Sequence, residues 1–361
     1  MKHIIGGNPV GAVPQAKNLV VAEDFAGQRL DNFLLRQLKG VPKTHVYRII
    51  RSGEVRVNKG RSSADSRVTA GDLVRLPPLR VSERVAQKAE AMKQLGVSTA
   101  PARDFPILFE DEHLLVIDKP AGVAVHGGSG VSFGVIEQLR MARPQAKFLE
   151  LVHRLDRDTS GILLIAKKRS ALKNLQNQFR ARETGKTYLA LVAGCWPANK
   201  KVLDKPLHKY LLQSNDGVVG VGERRVKVVS REDPSGLPSV TLVKLVRSTR
   251  ALPVPETRIA KKVLRLDFSL LEVTIKTGRT HQIRVHLASE GFPIAGDVKY
   301  GNFEFNKTLL RSTNTPSLKR MFLHAWRLQI NHPVSGERIE LLAPLPPDLE
   351  AFANHAAPCK S

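Results

Sequence analysis

The densest concentration of reactive side chains in the chain is His153-Arg154-Leu155-Asp156-Arg157-Asp158-Thr159-Ser160-Gly161. It lies between two apolar runs, 148–152 and 162–166, that read as strands. Polar residues wedged between buried strands belong at a sheet end, where loops carry function. Two carboxylates beside two arginines make a place where a carboxylate can be held charged, because a neighbouring guanidinium favours the ionised form. An ionised aspartate is what covalent attack at a sugar carbon requires. Two aspartates compete for that role. Asp158, followed by Thr159 and Ser160, is the better placed to shape the loop by hydrogen bonding.

A second cluster is Thr277-Gly278-Arg279-Thr280-His281-Gln282-Ile283-Arg284-Val285-His286. Gly278 supplies a turn out of an apolar strand, and Thr280 is expected to cap the helix that follows, 280–290. Two arginines, two histidines and a helix N-terminus suit an anion. Three rival motifs compete with this reading. Gly130-Val131-Ser132-Phe133-Gly134 has the pattern of a serine-hydrolase elbow, with His126-Gly127-Gly128 imitating its oxyanion segment. In a hydrolase a whole βαβ unit separates the two, whereas here they adjoin. Gly185-Lys186-Thr187 ends like a phosphate-binding loop, but Arg180 stands where that loop needs its first glycine. His153, Asp156, His281, His286 and His324 could be metal ligands, yet none has an established ligand spacing and the arginines nearby repel cations. No metal and no cofactor is expected.

The elements that must position these clusters read as two domains. Leu30, Phe33, Leu34 and Leu38 have helical spacing, and a second short helix is expected over 43–51 with Val46, Ile49 and Ile50 inward. Strands are expected at 54–57 and 71–77. This gives a compact α+β module over 21–78, after a loose N-terminal extension, 1–20. Its polar face carries Lys39, Lys43, Arg48, Arg51, Arg56, Lys59 and Arg61 with little acidic interleaving, unlike a salt-bridged surface. Residues 79–104 read as a charged linker, and 105–350 as a larger, mostly antiparallel α+β domain with a mixed sheet. Its expected elements are a helix at 171–182 and strands at 107–109, 114–117, 188–192, 225–229, 240–246, 264–275 and 324–330. A basic, proline-rich excursion is expected at 231–262, and a tail at 351–361.

The chain of 361 residues suits two domains of roughly 150 residues each. Its 57 Lys and Arg against 33 Asp and Glu give a net charge of +24. Solubility of a small domain needs only about 2 to 8 charges, so a polyanionic partner is expected. No apolar run is long enough to cross a bilayer, and no basic amphipathic helix with bulky aromatics suggests a membrane surface. The start has no secretory layout, and Cys195 and Cys359 are too far apart to imply a disulfide framework. A cytoplasmic protein, monomeric by default, is expected.

Taken together, two resemblances emerge. Gly27-Gln28-Arg29-Leu30-Asp31, Tyr47 to Gly53, Val55-Arg56-Val57-Asn58 and Gly71-Asp72 resemble the S4 RNA-binding domain. The 153–161 segment with Ala166-Lys167 looks like the signature of the RluA-type pseudouridine synthases. Lys119-Pro120-Ala121-Gly122, Lys186 to Val192, Gly278 to His286, Ile294-Ala295-Gly296-Asp297 and His324-Ala325-Trp326 agree with that family in order and spacing. The resemblance implies isomerisation of uridine in RNA without metal or cofactor. It implies Asp156 as nucleophile and Arg154 as the side chain that fills the gap when the uridine flips out. It further implies Tyr188 stacked on the uracil, and Arg279 paired with Asp156, with Arg284 as the alternative. Leu38 to Lys43, Gly53 to Lys59 and Val125 to Gly130 resemble the branch of C-type synthases, which modify several uridines of large-subunit (23S) ribosomal RNA at or near the peptidyl-transferase centre. A sister D-type branch, acting on a different stem-loop, and an inactive S4-type RNA-binding protein are the alternatives.

Overall fold

A computed structural model describes residues 16–38, 41, 43–78, 101–127, 133–213, 222–250, 267–311, 317–355 and 357–358. The N-terminal extension before 16, Lys39, the 79–100 stretch, Gly130 to Ser132 and residues 251–266 of the basic excursion therefore lie outside the described residues. Contacts divide the chain into two compact units, 1–99 and 100–361.

In the first unit three short strands, β1 (Lys17–Val20), β2 (Arg56–Val57) and β3 (Leu73–Leu76), pair antiparallel in the order β1-β3-β2. Two helices, α1 (Leu30–Gln37) and α2 (Lys43–Arg51), complete it. The amphipathic spacing is realised: Leu30, Phe33 and Leu34 of α1 and Val46, Ile49 and Ile50 of α2 are buried with Val55, Val74 and Leu76. Residues 17–20, read from sequence as loose, instead add a strand, because their backbone groups pair with Leu73–Leu76 and Val21 behind them is buried. Asp31 is buried and held by Arg29 through two hydrogen bonds and by the Tyr47 hydroxyl at 3.0 Å.

The second unit is built on an eleven-stranded sheet. Its strands are β4 (Ile107–Glu110), β5 (Leu114–Lys119), β6 (Glu150–Leu151), β7 (Ser160–Ala166), β8 (Gly185–Ala193) and β9 (Val202–Asp204), followed by β12 (Val240–Arg250), β13 (Phe268–Ile275), β14 (Leu323–Asn331), β15 (Arg338–Leu342) and β16 (Ala357–Pro358). A separate antiparallel hairpin, β10 (Leu207–Gln213) and β11 (Gly222–Val228), stands between them in sequence. The main path runs β16-β12-β13-β8-β14-β7-β5-β4. Every pairing along it is antiparallel except β7 with β14. Helices α3 (Val135–Ala142), α4 (Arg169–Ala181), α5 (Gln282–Ser289), α6 (Phe303–Arg311) and α7 (Pro347–His355) cover its faces.

β7 is buried at all seven positions because both its faces are covered. Ile162 and Leu164 pack with Leu172 and Leu175 of α4, whereas Leu163 and Ile165 pack with Val135, Ile136 and Leu139 of α3. Side chains alternate across a strand, so one apolar run serves two cores. The expected tail at 351–361 begins instead inside α7, whose Phe352 and Ala353 are buried against Phe268 and Leu309. The expected strand at 148–152 shrinks to two residues, Glu150 and Leu151 pairing with β7, with one further bond from the Val152 amide to the Leu164 carbonyl at 3.1 Å.

The β7–β14 junction fixes the loop that precedes it. Gly161, at φ +110°, lies so close to β14 that a Cβ would stand 2.3 Å from the Ala325 carbonyl oxygen. Gly161→Ala is therefore expected to force the two strands apart and to destabilise the protein by about 3 kcal/mol, measured as a lower urea midpoint at unchanged slope.

Candidate active site

The 153–160 loop, the Tyr188 position of β8 and the turn from β13 into α5 converge on a cavity of about 250 Å³. His153, Arg154, Asp156, Tyr188, Arg279, His281 and Arg284 all line it. Asp158 does not: its carboxylate accepts a hydrogen bond from Nε of Arg157 at 3.1 Å, outside the lining. Position thus separates the two aspartates. Loop closure places only Asp156 at the cavity, and the Thr159 amide donates back to the Asp156 carbonyl at 3.2 Å.

The loop is propped from below by Lys119, which is fully buried at the end of β5. Its ammonium donates to three carbonyls, those of Pro120 at 2.8 Å, Val123 at 2.9 Å and Arg157 at 3.0 Å. Burial pushes its pKa down to about 7, against the pull of Asp158 and Asp156. Three donors meeting three carbonyls tie the β5 turn to the loop. Lys119→Met is expected to orphan all three acceptors and to cost about 3 kcal/mol, seen as a fall in Tm. His153 closes the other side, its Nε2 accepting from the Leu164 amide at 3.1 Å and its ring stacked on Phe179. Burial pushes it down to about 4, so it is neutral and structural at physiological pH.

The turn into α5 is set by hydrogen bonds rather than by the expected Thr280 cap. Thr277 Oγ1 and the Arg279 amide both donate to Gln282 Oε1, and the Gln282 amide group donates to Val240 and Thr241. The residue capping α5 is His281, in the left-handed region at φ 53°. Its Nδ1 lies 2.8 Å from the Tyr300 hydroxyl and its Nε2 3.8 Å from Asp156 Oδ2. Burial lowers the His281 pKa, Asp156 opposing, so the ring is neutral. The Tyr300 hydroxyl already accepts from the Val226 amide at 3.0 Å, so its proton is free to go to Nδ1 and leaves the Nε2 proton toward Asp156.

The basic partner of Asp156 is not the expected Arg279. Nη1 of Arg284 lies 3.2 Å from Asp156 Oδ2. The same guanidinium grips Asp297 in bidentate fashion, at 2.7 Å and 2.8 Å. Arg279 instead directs its Nε to the Pro238 carbonyl at 3.3 Å. The reason is helical phase and burial. Residues 282–287 of α5 are all buried, so a guanidinium in that helix must find anions inside the protein. Burial would raise the pKa of Asp297, but its hydrogen bonds and charge pairing with Arg284 outweigh this and hold it below the usual carboxylate range. The Lys299 and Tyr300 amides complete its shell. Sequence alone does not show this, because Gln282, Arg284 and His286 alternate with apolar residues as on a half-exposed helix.

Tyr188 is half-buried on the cavity wall. Burial, then the negative charge of Asp156, raise its pKa well above that of a free phenol, so the hydroxyl keeps its proton. Arg154 is exposed. His286 and His324 are engaged elsewhere. His286 meets Thr241 and the Lys205 carbonyl, and His324 meets Ser160 and the Ala343 carbonyl. Among the described residues no group of three or more metal-ligating side chains comes together.

In the first unit Arg48, Arg51, Lys59 and Arg61 are exposed and Arg56 is half-buried. Arg48 faces Glu54 at 3.9 Å. Lys43 begins α2, but its side chain lies outside the described residues.

Known proteins decide what such a cavity belongs to. Residues 113–289 match the RNA pseudouridylate synthase family, and residues 28–74 match the S4 domain. The chain is 46% identical over 336 residues to "Ribosomal large subunit pseudouridine synthase C" of Haemophilus influenzae, covering 93% of this chain and 94% of that protein. The chain belongs to the RNA pseudouridylate synthase family. A protein of the same description from Escherichia coli K12 is 47% identical over 332 residues, 92% of the synthase and 94% of the relative. Among solved structures, the human RNA pseudouridylate synthase domain containing 1 shares the fold, with a TM-score of 0.51 at 24% identity over 72% of the synthase and 91% of that chain. The synthase is an isomerase with an S4 domain ahead of its α+β catalytic domain. No described helix is long and apolar enough to cross a membrane.

Proposed function

We propose that the synthase converts specific uridines of large-subunit (23S) ribosomal RNA to pseudouridine, at or near the peptidyl-transferase centre, and that Asp156 acts on the sugar. The observation that carries the residue assignment is the Asp156 carboxylate at the cavity, set against a buried Arg284 that Asp297 holds in place. The RNA assignment rests on near full-length similarity to proteins described as ribosomal large subunit pseudouridine synthase C.

The reaction breaks the bond between the sugar and N1 of uracil and joins the sugar to C5. C5 loses a proton and N1 gains one, so no electron acceptor is needed. Asp156 begins and ends as a free carboxylate. The target lies in folded RNA and must be flipped out, which costs a few kcal/mol. Arg154, exposed at the cavity, takes the place left in the stack. Tyr188 stacks on the extruded base and, with its raised pKa, meets it as a neutral phenol. The exposed Arg48, Arg51, Lys59 and Arg61, with Arg56, Lys39 and Lys43, hold the RNA backbone through the S4 domain. The enzyme works as a monomer in the cytoplasm.

The test is carbodiimide and primer-extension mapping of a large-subunit rRNA transcript incubated with the synthase. Stops clustered at the peptidyl-transferase centre are expected. Stops confined to another stem-loop would replace the proposed target with that of the sister branch. Binding without any stop would replace it with an inactive RNA-binding protein.

A further inference from the structure

Adjoining the active-site cavity is a second groove that shares Lys186 and Arg279 with it and adds Arg180, Arg182 and Lys276. Five cations line it and no carboxylate does. None of the five has a carboxylate partner among the described residues. Arg180 reaches only the neutral Asn177 side chain, and Arg279 only the Pro238 carbonyl and a glutamine. Elsewhere in the second unit several cations are paired with carboxylates, as at Lys167–Glu110 and Arg320–Asp348, so five together without one mark the groove. A helix C-terminus accounts for two of the five, since Arg180 and Arg182 end α4 and complement its dipole. It does not account for Lys276 and Arg279, which come from the end of β13, or for Lys186 on β8.

Two further features point to a ligand. Arg182 is in the left-handed region, φ 62° and ψ 28°, at the helix-ending position where glycine is free of strain. The chain keeps a guanidinium at the rim at a conformational cost that glycine would avoid. Lys186 is half-buried with its Nζ 5.7 Å from the Phe179 ring centroid, a desolvated cation with no anion beside it among the described residues.

We propose that this groove holds phosphates of the RNA strand flanking the uridine that enters the Asp156 cavity. The proposal rests on that cavity being the uridine site. Phosphate contacts of this kind fix register and orientation and carry no base information. The groove therefore positions whichever strand the S4 domain and base recognition select.

The test uses the full chain, filter binding to a large-subunit rRNA transcript over a potassium chloride series, and pseudouridine counts from the same samples. Arg182→Gly and Lys276→Gln are compared with Lys168→Gln, at the opposite end of α4 and paired with Glu112. Arg182→Gly removes the charge while relieving the backbone, so its Tm should hold or rise and weaker binding cannot come from misfolding. Each groove variant is expected to bind about two- to fivefold more weakly. Each should also flatten the slope of log affinity against log salt by about 0.7 to 1, while Lys168→Gln changes neither. Equal slopes for wild type and groove variants, or an equal drop for Lys168→Gln, would overturn the proposal. Failure of the wild type to form any pseudouridine would defeat the proposed function instead, and the slopes would still judge the groove.

Discussion

Asp156→Asn is expected to lower the single-turnover rate of pseudouridine formation by about 10⁵-fold while leaving RNA affinity within about threefold of wild type. Asparagine keeps the shape of the side chain and one oxygen to accept from Arg284, so the cavity is preserved. What it removes is the anionic oxygen that acts on the sugar. Asp158→Asn is the matched control, since its carboxylate meets Arg157 and lies outside the cavity lining. Its effect should stay within about tenfold, through loop shape alone. Reversal of that order would assign the chemistry to Asp158.

Arg284→Gln is expected to be the most destabilising single change at the site. It strips the counterion from Asp297, whose side chain is 1% exposed, and from Asp156. Breaking a buried pair by removing one partner costs about 3–5 kcal/mol, or about 10 °C in Tm for a domain of this size. Arg284→Lys keeps the charge but cannot span both carboxylates, because an ammonium is a point charge rather than a planar fork. It should fold with a smaller loss and lower kcat by about 100-fold through misplacement of Asp156. Arg279→Lys should leave Tm within about 1 °C, because the described contacts of Arg279 include no carboxylate. A Tm loss at Arg279 equal to that at Arg284 would contradict the ion-pair assignment.

Much of this was legible in the chain. The helices of the first unit followed from the spacing of Leu30, Phe33, Leu34, Val46, Ile49 and Ile50, because a small module has one core and each helix must turn its apolar face to it. The 153–161 segment stood out because polar residues interrupt apolar strands at a sheet end, whereas Asp156 over Asp158, and Tyr188, came from the family resemblance. What was not legible depends on tertiary partners. Lys17–Val20 has no pattern of its own and becomes a strand only because β3 offers an open edge. The 351–355 stretch resembles a tail until Phe352 finds Phe268. Arg279 was expected over Arg284 because the family resemblance of the 278–286 segment implied it. Burial of α5 on all sides, which only the sheet and Asp297 reveal, assigns the pairing to Arg284. His281 was noted as part of a cluster, but its approach to Asp156 depends on a left-handed backbone that no residue type announces.

Tritium release from [5-³H]uridine-labelled large-subunit rRNA by wild type and Asp156→Asn, at equal, saturating RNA, tests most directly whether Asp156 acts on the sugar. Release by the wild type in step with the pseudouridine formed is expected, because C5 must lose its hydrogen when it joins the sugar, and none above background from the variant. Sustained release by Asp156→Asn would contradict that role and would require another group in the cavity to act on the sugar.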